Sequence, residues 1–201
     1  MFKIGVTGNI GSGKSTVCRV FNLLGIPVFY ADTAAKNIMT TDNELIKGIK
    51  NTFGEPAYFQ DGSLNRKFIA DIVFNKPGEL QKLNALVHPA VFRAFDNWAA
   101  NITDAPYVIK EAALLFESTS YTHCDSTLLV SAPLEMRKQR VMTRDNISSE
   151  EVLAREARQM NEEKKKSLAN YIIANDESSL LIPQVLALHN VFLNLAIAKH
   201  S

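Results

Sequence analysis

The sequence predicts an α/β fold with a five-stranded parallel sheet. Short apolar runs of β-type composition alternate with longer helical patterns along the 201 residues. Strands that alternate with helices form parallel sheets through right-handed crossovers, and this length is enough for a sizeable core. The five predicted strands are Phe2–Thr7, Val28–Ala31, Tyr107–Ile109, Thr127–Ser131 and Tyr171–Ala174.

The first predicted helix follows the first strand after a short glycine-rich segment. It is expected to begin near Gly13 and to end at Leu24. Gly25 suits the position just past a helix, where a left-handed backbone is common, and Pro27 lies where a helix does not continue.

A long helical insertion is predicted after the second strand. Within residues 33–104, Leu45, Ile49 and Phe53 recur at i, i+4 and i+8, which is a helical spacing. Pro89 disfavours helix continuation at the residue before it. The segment is too long for a simple crossover, so we predict a separate helical region at the substrate side of the sheet.

A second departure from simple alternation lies at residues 137–167. Ser148 and Glu151 have the spacing of a capping box, and we expect them to open one highly charged helix that runs through Lys166. Few apolar residues are available there to face a core, so the segment is predicted to form a lid. A solvated surface helix is the alternative. The remaining segments, 1–32, 105–136 and 168–201, are predicted to form the core.

The composition is that of an ordinary globular protein, with 46% apolar and 21% charged residues. A formal net charge of +1 argues against a nucleic-acid or anionic-membrane partner. We find no run of about 18 apolar residues and no signal peptide, and no obligate protein partner is indicated. Cys18 and Cys124 are interpreted as buried small side chains in a reducing compartment, which predicts a cytoplasmic protein.

A phosphate-binding motif follows the first strand. Gly8–Ser15 matches G-x-x-x-x-G-K-[ST] without a mismatch, between a β-type run and an amphipathic helix. Glycines let successive N–H groups point inward, and the helix N-terminus adds positive potential. Lys14 can reach the β- and γ-phosphates of ATP, and the Ser15 hydroxyl can bind Mg²⁺. The predicted ATP-binding residues of the loop are Gly8, Gly11, Ser12, Gly13, Lys14, Ser15 and Thr16. The fold prediction becomes a P-loop NTPase fold.

Among P-loop proteins, the sequence favours a small-molecule kinase. It lacks the N-K-x-D motif with which GTPases read guanine, and the strand that begins at Tyr107 is followed by one acid, Glu111, where a motor ATPase has two. Glu111 either serves the Mg²⁺ shell through water or is an ordinary surface acid. Kinases need a cover that excludes water from the γ-phosphate, and the insertion and lid are candidates.

Asp32 indicates the type of acceptor. It ends the second strand at the carboxyl edge of the sheet, where ligands bind in open α/β folds. A hydroxyl acceptor benefits from a carboxylate that orients it and takes its proton, whereas a phosphate acceptor needs no base. The alternative is that Asp32 caps the next helix, at Thr33–Ile38.

Three arginines follow the fourth strand on one predicted helix. Arg137, Arg140 and Arg144 are spaced to share a face. Beside a phosphate site, such a face suggests stabilisation of transition-state charge. A solvated basic face is the alternative.

Over almost its whole length the chain resembles the dephospho-CoA kinase family. The phosphate loop alone would place only the superfamily, but two ordered motifs are specific: D-G-x-L-N-R at Asp61–Arg66 and L-N-x-x-x-H-P at Leu83–Pro89. The other shared motifs are Val6–Thr16, Leu24–Gly25, Ala31–Asp32 with Ala35, Phe53–Gly54, Leu114–Glu117, Arg140 with Arg144, Arg155 with Gln159, and Tyr171–Ile173 with Asn175.

The resemblance implies ATP-dependent phosphorylation of the ribose 3′-hydroxyl of dephospho-CoA, with a nucleotide-binding core, a CoA-binding region at 33–104 and a lid at 137–167. It implies that Asp32 is the base and that Arg140 faces the phosphates. It further implies ATP contacts by Arg144 and Asn175, and acceptor contacts by Thr7, Arg66, His88 and Leu115.

The chain departs from the family pattern at three positions. Asn9 replaces the usual second glycine, Ala113 replaces a proline, and Asn170 stands where Ala-Asp is usual. Two other functions stay open at this point: another hydroxyl kinase, such as a nucleoside kinase, and a nucleotide-dependent binding module without catalysis. Such a module would need neither Asp32 nor the arginine face.

Overall fold

The protein is described from a computed structural model, which covers residues 1–76 and 78–200. The chain forms two compact units: unit 1 comprises Met1–Tyr30 with Ala99–Ser201, and unit 2 comprises Ala31–Trp98. The strands are β1 (Phe2–Thr7), β2 (Val28–Tyr30), β3 (Tyr107–Glu111), β4 (Ser126–Ser131) and β5 (Tyr171–Ala174). The helices are α1 (Lys14–Leu23), α2 (Ala31–Thr41), α3 (Asn43–Phe53), α4 (Arg66–Asn75), α5 (Glu79–Ala100), α6 (Leu134–Asp145), α7 (Ser149–Glu156), α8 (Glu162–Leu168) and α9 (Leu181–His200).

Unit 1 contains the predicted five-stranded parallel sheet, in the order β2-β3-β1-β4-β5. The strand bounds agree with the prediction to within one or two residues. The largest difference is at β3, which continues to Glu111 because Lys110 and Glu111 pair in register with Gly5 and Val6 of β1. The central position of β1 places the loop that follows it at the middle of the carboxyl edge of the sheet, where ligands bind in folds of this class.

The core of unit 1 is built around an aromatic cluster between the sheet and the helices α1 and α9. Phe21 of α1 and Phe192 of α9 lie with ring centroids 6.1 Å apart, and both contact the ring of Tyr107 on β3. These three side chains are completely buried. They anchor α1 to the sheet, and α1 ends within one residue of the predicted Leu24, with Gly25 in the left-handed region at a φ of 81°.

Helix α9 bears on the expectation, drawn from the lack of a run of about 18 apolar residues, that no segment spans a membrane. Polar residues interrupt its sequence, but the segment Leu181–Lys199 is long and apolar enough to cross a membrane by length and composition. The core helices of globular proteins can meet this criterion too, and Val185, Phe192 and Ala196 of α9 do belong to the core of unit 1. Only 17% of the apolar window is buried, however.

Unit 2 is the helical insertion, with its own core. Leu45, Ile49 and Phe53 of α3 are buried there, as their spacing predicts, together with Ile69 and Ala90. The segment is helical through α2, α3, α4 and α5, apart from the described loops between them.

Pro89 does not end a helix, contrary to the sequence prediction. It lies inside α5, which continues to Ala100. Proline removes one backbone hydrogen bond from a helix interior, but α5 buries apolar side chains on both sides of the break. Leu86 and Val87 precede it and Ala90 follows it, all in the core of unit 2. Packing of that face outweighs the local preference of the proline.

The charged segment after α6 forms two helices, where the sequence predicted one. The capping box of Ser148 and Glu151 is present and opens α7, which ends at Glu156, while α8 begins after the cap Asn161. The residues between, 157–161, are called the α7–α8 turn. The backbone N–H of Met160 in this turn donates to Glu117 Oε1 at 2.7 Å. Because this N–H is bound by a distant side chain, it is not bound within a helix, and α7 does not continue through the turn.

Candidate active site

The loop between β1 and α1 has the backbone of a phosphate cradle. Gly11 and Gly13 have φ angles of 78° and 96°, in the left-handed region. A Cβ at Gly11 would lie 2.5 Å from the carbonyl oxygen of Arg137, and a Cβ at Gly13 would lie 2.2 Å from Nδ2 of Asn175. Glycine is therefore required at both positions for conformation and for space.

The features of the loop fit the phosphates of ATP. Helix α1 begins directly at Lys14 and has no acidic residue in its first turn, so its N-terminal dipole is free to attract an anion. The Ser12 hydroxyl is buried and has no hydrogen-bond partner among the described residues. A buried polar group without a partner is costly, and a bound phosphate oxygen would satisfy it.

Lys14 and Glu111 carry opposite charges and act in opposite directions on the pKa of the Cys18 thiol of α1. Lys14 Nζ donates to the Gly8 carbonyl oxygen at 2.9 Å, so the ammonium bends back over the loop. Burial raises the pKa of the Cys18 thiol one turn further along; the Glu111 carboxylate adds to the rise and the Lys14 ammonium opposes it. Glu111 is 8% exposed at the end of β3, beside the strand that leads into the loop.

Asn175 and Arg140 meet at the other side of the loop. Asn175 directly follows β5, and its Nδ2 donates to the Ser12 carbonyl oxygen at 2.8 Å. Arg140 Nη1 donates to the Asn175 carbonyl oxygen at 3.1 Å, and Nη2 contacts Glu177 Oε1 at 3.3 Å. The structure thus brings two predicted ATP-side residues to the second half of the loop, and the Arg140 side chain is still 30% exposed.

The three arginines of α6 do not form one phosphate-facing surface, which corrects that prediction. Arg137 is 3% exposed, and its guanidinium contacts Glu156 at 2.6 Å and Glu162 at 3.2 Å. Arg144 is 63% exposed and pairs with the neighbouring Asp145. Helical spacing placed the residues on adjacent turns, but the mostly buried carboxylates of Glu156 and Glu162 make Arg137 a structural residue.

Glu156 is the main partner of Arg137. Its burial raises the pKa of its carboxyl, but hydrogen bonds from Arg137 and Asn9 and the positive charges of Arg137 and Lys165 together outweigh this effect, and the net pKa lies below the ordinary value of 4.5. A depressed carboxyl pKa means that the stabilisation is present at neutral pH and is lost as the pH falls through the folded-state pKa.

We therefore expect Arg137→Met to destabilise the protein at pH 7, because it leaves two mostly buried carboxylates without their shared guanidinium partner. Since Glu156 and Glu162 keep 19% and 17% exposure, we expect a loss of about 2–3 kcal/mol. Arg155→Met, which removes a surface pair with Asp145, should cost less than about 1 kcal/mol. Denaturant unfolding measures both, and the Arg137 effect should shrink below pH 4.5. Equal losses for the two variants would contradict this account.

Asp32, Arg66 and His88 belong to unit 2. Asp32 is exposed and is the second residue of α2, which begins two residues earlier than the cap interpretation requires. Its carboxylate lies in the first helical turn. Arg66 is exposed at the first position of α4, after the cap Asn65. His88 lies inside α5, where its ring stacks on Phe92 at a centroid distance of 6.3 Å.

Thr7 and Leu115, predicted to contact the acceptor, are both completely buried in unit 1. The Thr7 hydroxyl donates to the Ala113 carbonyl oxygen at 3.4 Å. Leu115 packs so closely on β1 that a Cβ at Gly5 would lie 2.8 Å from its Cδ2. Leu115 is thus a packing residue of the core, and its acceptor contact stays a prediction that this burial does not favour.

Two departures from the family pattern have structural explanations. Asn170 Oδ1 accepts hydrogen bonds from the backbone N–H of Thr127 at 2.9 Å and from the Ser126 hydroxyl at 3.2 Å. These contacts lie at the amino ends of β4 and β5, away from the carboxyl edge of the sheet that carries the loop. Ala113 contacts Thr7 and Lys165 through its carbonyl oxygen, so these contacts do not depend on its side chain.

Sequence reasoning missed a group of contacts that join the loop to the end of α7 and to the α7–α8 turn. Asn9 is 1% exposed, and its Nδ2 donates to Glu156 Oε1 at 2.7 Å and to the Met160 carbonyl oxygen at 3.2 Å. The backbone N–H of Ile10 donates to Gln159 Oε1 at 2.7 Å. Two features of the sequence pointed to these residues: Asn9 replaces a glycine of the family pattern, and Gln159 belongs to that pattern. Neither feature indicates which residue Asn9 or Gln159 contacts.

Known proteins resemble this chain over most of its length. The sequence profile of the dephospho-CoA kinase family matches residues 2–180. A dephospho-CoA kinase of Salinibacter ruber is 40% identical over 178 residues, which are 88% of this chain and 89% of the relative. A solved structure of a Thermus thermophilus protein is similar with a TM-score of 0.82 at 39% identity, covering 94% of this chain and 96% of that one. A dephospho-CoA kinase of Campylobacter jejuni has a TM-score of 0.68 at 25% identity and covers 98% of both chains.

Proposed function

The chain belongs to the dephospho-CoA kinase family, and from that premise we propose which of its residues transfer the γ-phosphoryl group of ATP to the ribose 3′-hydroxyl of dephospho-CoA. This reaction is the last step of coenzyme A synthesis. The observation that carries the proposal is the loop at Gly8–Ser15, whose glycines adopt the backbone of a phosphate cradle at the N-terminus of α1.

The loop binds and orients the triphosphate. Its N–H groups and the α1 dipole hold the β-phosphate. Lys14, now bonded to the Gly8 carbonyl oxygen, turns to the β- and γ-phosphates and neutralises charge as the phosphoryl group moves. Asn175 has a positioning role, because its side chain donates to the Ser12 carbonyl oxygen and so holds the loop.

Mg²⁺ fits this site as the metal of the reaction. When bound, it neutralises charge on the phosphates. The Ser15 hydroxyl, exposed in the first turn of α1, would hold it, with Glu111 acting through water. Among the described residues, no cluster of three or more His, Cys, Asp or Glu side chains could bind a metal alone. That pattern suits Mg²⁺, which proteins commonly hold by few ligands together with substrate phosphates.

Asp32 is proposed to orient the ribose hydroxyl and to take its proton. Its exposed carboxylate is free to bind a ligand, and a hydroxyl acceptor benefits from such a group. We further propose that the helical region, residues 33–104, binds the CoA portion and that residues 137–167 cover the nucleotide. Cys18 and Cys124 are not joined in a disulfide, which supports a cytoplasmic protein.

Arg140 is proposed to stabilise charge on the transferring phosphoryl group. We expect Arg140→Lys to lower kcat by about 10-fold or more, because an ammonium cannot reproduce the planar guanidinium fork. The loss should fall on kcat more than on the KM for ATP, since the contact strengthens in the transition state. Steady-state kinetics with ATP varied tests this. A rise in the KM for ATP alone would make Arg140 a ground-state binder.

The proposed function is tested with purified protein, ATP and Mg²⁺, offered either dephospho-CoA or common nucleosides. We expect ADP release with dephospho-CoA, and a new phosphomonoester signal in the ³¹P NMR spectrum of the product. Reactions without acceptor measure hydrolysis of ATP by water. ADP release with nucleosides alone would replace the proposal by a nucleoside kinase, and ATP binding without turnover on any acceptor would replace it by a nucleotide-binding module.

A further inference from the structure

The two backbone polar groups of Ile10, the third residue of the nucleotide loop, are both bound by side chains from outside the loop. Its N–H donates to Gln159 Oε1 at 2.7 Å. Its carbonyl oxygen accepts from Arg137 Nη1 at 3.4 Å. Ile10 directly precedes Gly11, where the chain turns through a φ of 78°. Fixing the peptide groups of Ile10 fixes the direction from which the chain enters the cradle.

The residues before and after Gln159 in the chain are held by side chains from other elements. On one side, Glu156 is bound by the guanidinium of Arg137, through Nη1 at 2.6 Å and Nη2 at 3.0 Å. On the other side, the Met160 N–H donates to Glu117 Oε1 at 2.7 Å. Glu117 is bound in turn by Lys165, at 3.0 Å. The amide of Gln159 therefore projects from an anchored turn.

Asn9 ties the same turn to the loop. Its Nδ2 faces the Glu156 carboxylate and the Met160 carbonyl oxygen. Both groups are acceptors only, so the orientation of the Asn9 amide follows from its partners. A glycine at this position would lack both contacts.

We infer that Gln159 is a positioning residue for ATP, and that it acts by holding the Ile10 N–H while Asn9 and Glu156 hold the turn. A loop with glycines at positions 8, 11 and 13 has many conformations when free, and ordering each residue has an entropic cost. The contacts of Gln159, Asn9 and Glu156 order the first half of the loop before the nucleotide arrives, while Asn175 orders the second half. Preorganisation of this kind raises affinity without a new contact to the ligand.

The inference rests on the proposed function only in taking the loop as the ATP site. It is tested by the binding of ATP with Mg²⁺ alone, without an acceptor. Failure of the inference can thus be told from failure of the proposed acceptor, which would leave ATP binding unchanged.

The test variant is Gln159→Met, which keeps the length of the side chain and removes the acceptor. The loss of one hydrogen bond is expected to raise the Kd for MgATP about 5- to 10-fold, measured by calorimetry. The KM for ATP should rise in parallel, with the KM for dephospho-CoA and the melting temperature close to wild type. Gln139→Met, the same change at an exposed position of α6, is the matched control and should leave the Kd unchanged.

A second variant keeps the test decisive if Gln159→Met folds poorly. Asn9→Ala leaves Gln159 in place and removes the two hydrogen bonds that Asn9 donates to Glu156 and Met160, so it should also raise the Kd for MgATP. The inference is overturned if the folded variants bind MgATP as Gln139→Met does. It is also overturned if the KM values of both substrates change equally, since a general loss of structure would then explain the effect.

Discussion

Lys14→Ala is expected to slow phosphoryl transfer by about 10²–10³-fold, the usual effect of removing one electrostatic donor from a developing negative charge. The ammonium is placed by the loop itself, since Nζ already lies 2.9 Å from the Gly8 carbonyl oxygen. Alanine keeps the helix N-terminus and the glycines, so the cradle should persist while its charge is lost. The KM for ATP should rise as well, because Lys14 contacts the phosphates in the ground state too.

The rate is measured by ADP release at saturating dephospho-CoA. Lys199→Ala is the control, because it removes the same charge from a lysine that pairs with Asp125. That variant should turn over at close to the wild-type rate. Near-normal turnover of Lys14→Ala would mean that the loop at Gly8–Ser15 is not the phosphate site.

Asp32→Asn is expected to lower kcat by about 10²-fold or more while folding and ATP binding survive. The amide keeps the shape of the carboxylate but is a very poor base. The transition state of phosphoryl transfer is thought to be loose, so the loss reports orientation of the hydroxyl as well as removal of its proton. Asp32 lies inside the first turn of α2, where a carboxylate also interacts favourably with the helix dipole, by about 0.3–1 kcal/mol.

Measuring kcat and thermal stability on the same preparation distinguishes the catalytic role of Asp32 from its role at the helix terminus. A catalytic carboxylate gives a large fall in kcat with a small change in melting temperature. A helix-terminal role gives a small change in kcat with a larger change in melting temperature. Asp104→Asn, the same change in the exposed loop before β3, controls for the substitution. A stable Asp32→Asn variant with wild-type turnover would remove the strongest physical reason for a hydroxyl acceptor.

Local spacing was enough to predict most of the fold. The alternation of apolar runs and helices predicted the five parallel strands, and the position of Gly25 predicted the end of α1. The prediction failed where distant residues decide local structure. At Pro89, apolar packing on both sides of the proline keeps α5 continuous, and at Met160, the Glu117 carboxylate interrupts a helix that its own sequence would continue.

The sequence by itself determined the phosphate loop, because its glycines, lysine and serine act through positions that are adjacent along the chain. Only the tertiary structure decided which distant side chains serve that loop. Arg137, Arg140 and Arg144 are equivalent by helical spacing, yet Arg137 pairs with two mostly buried carboxylates and Arg140 bonds to Asn175. Gln159 reaches the Ile10 N–H across 149 residues. Such pairings depend on charge compensation and burial in the folded core, and no local periodicity encodes them.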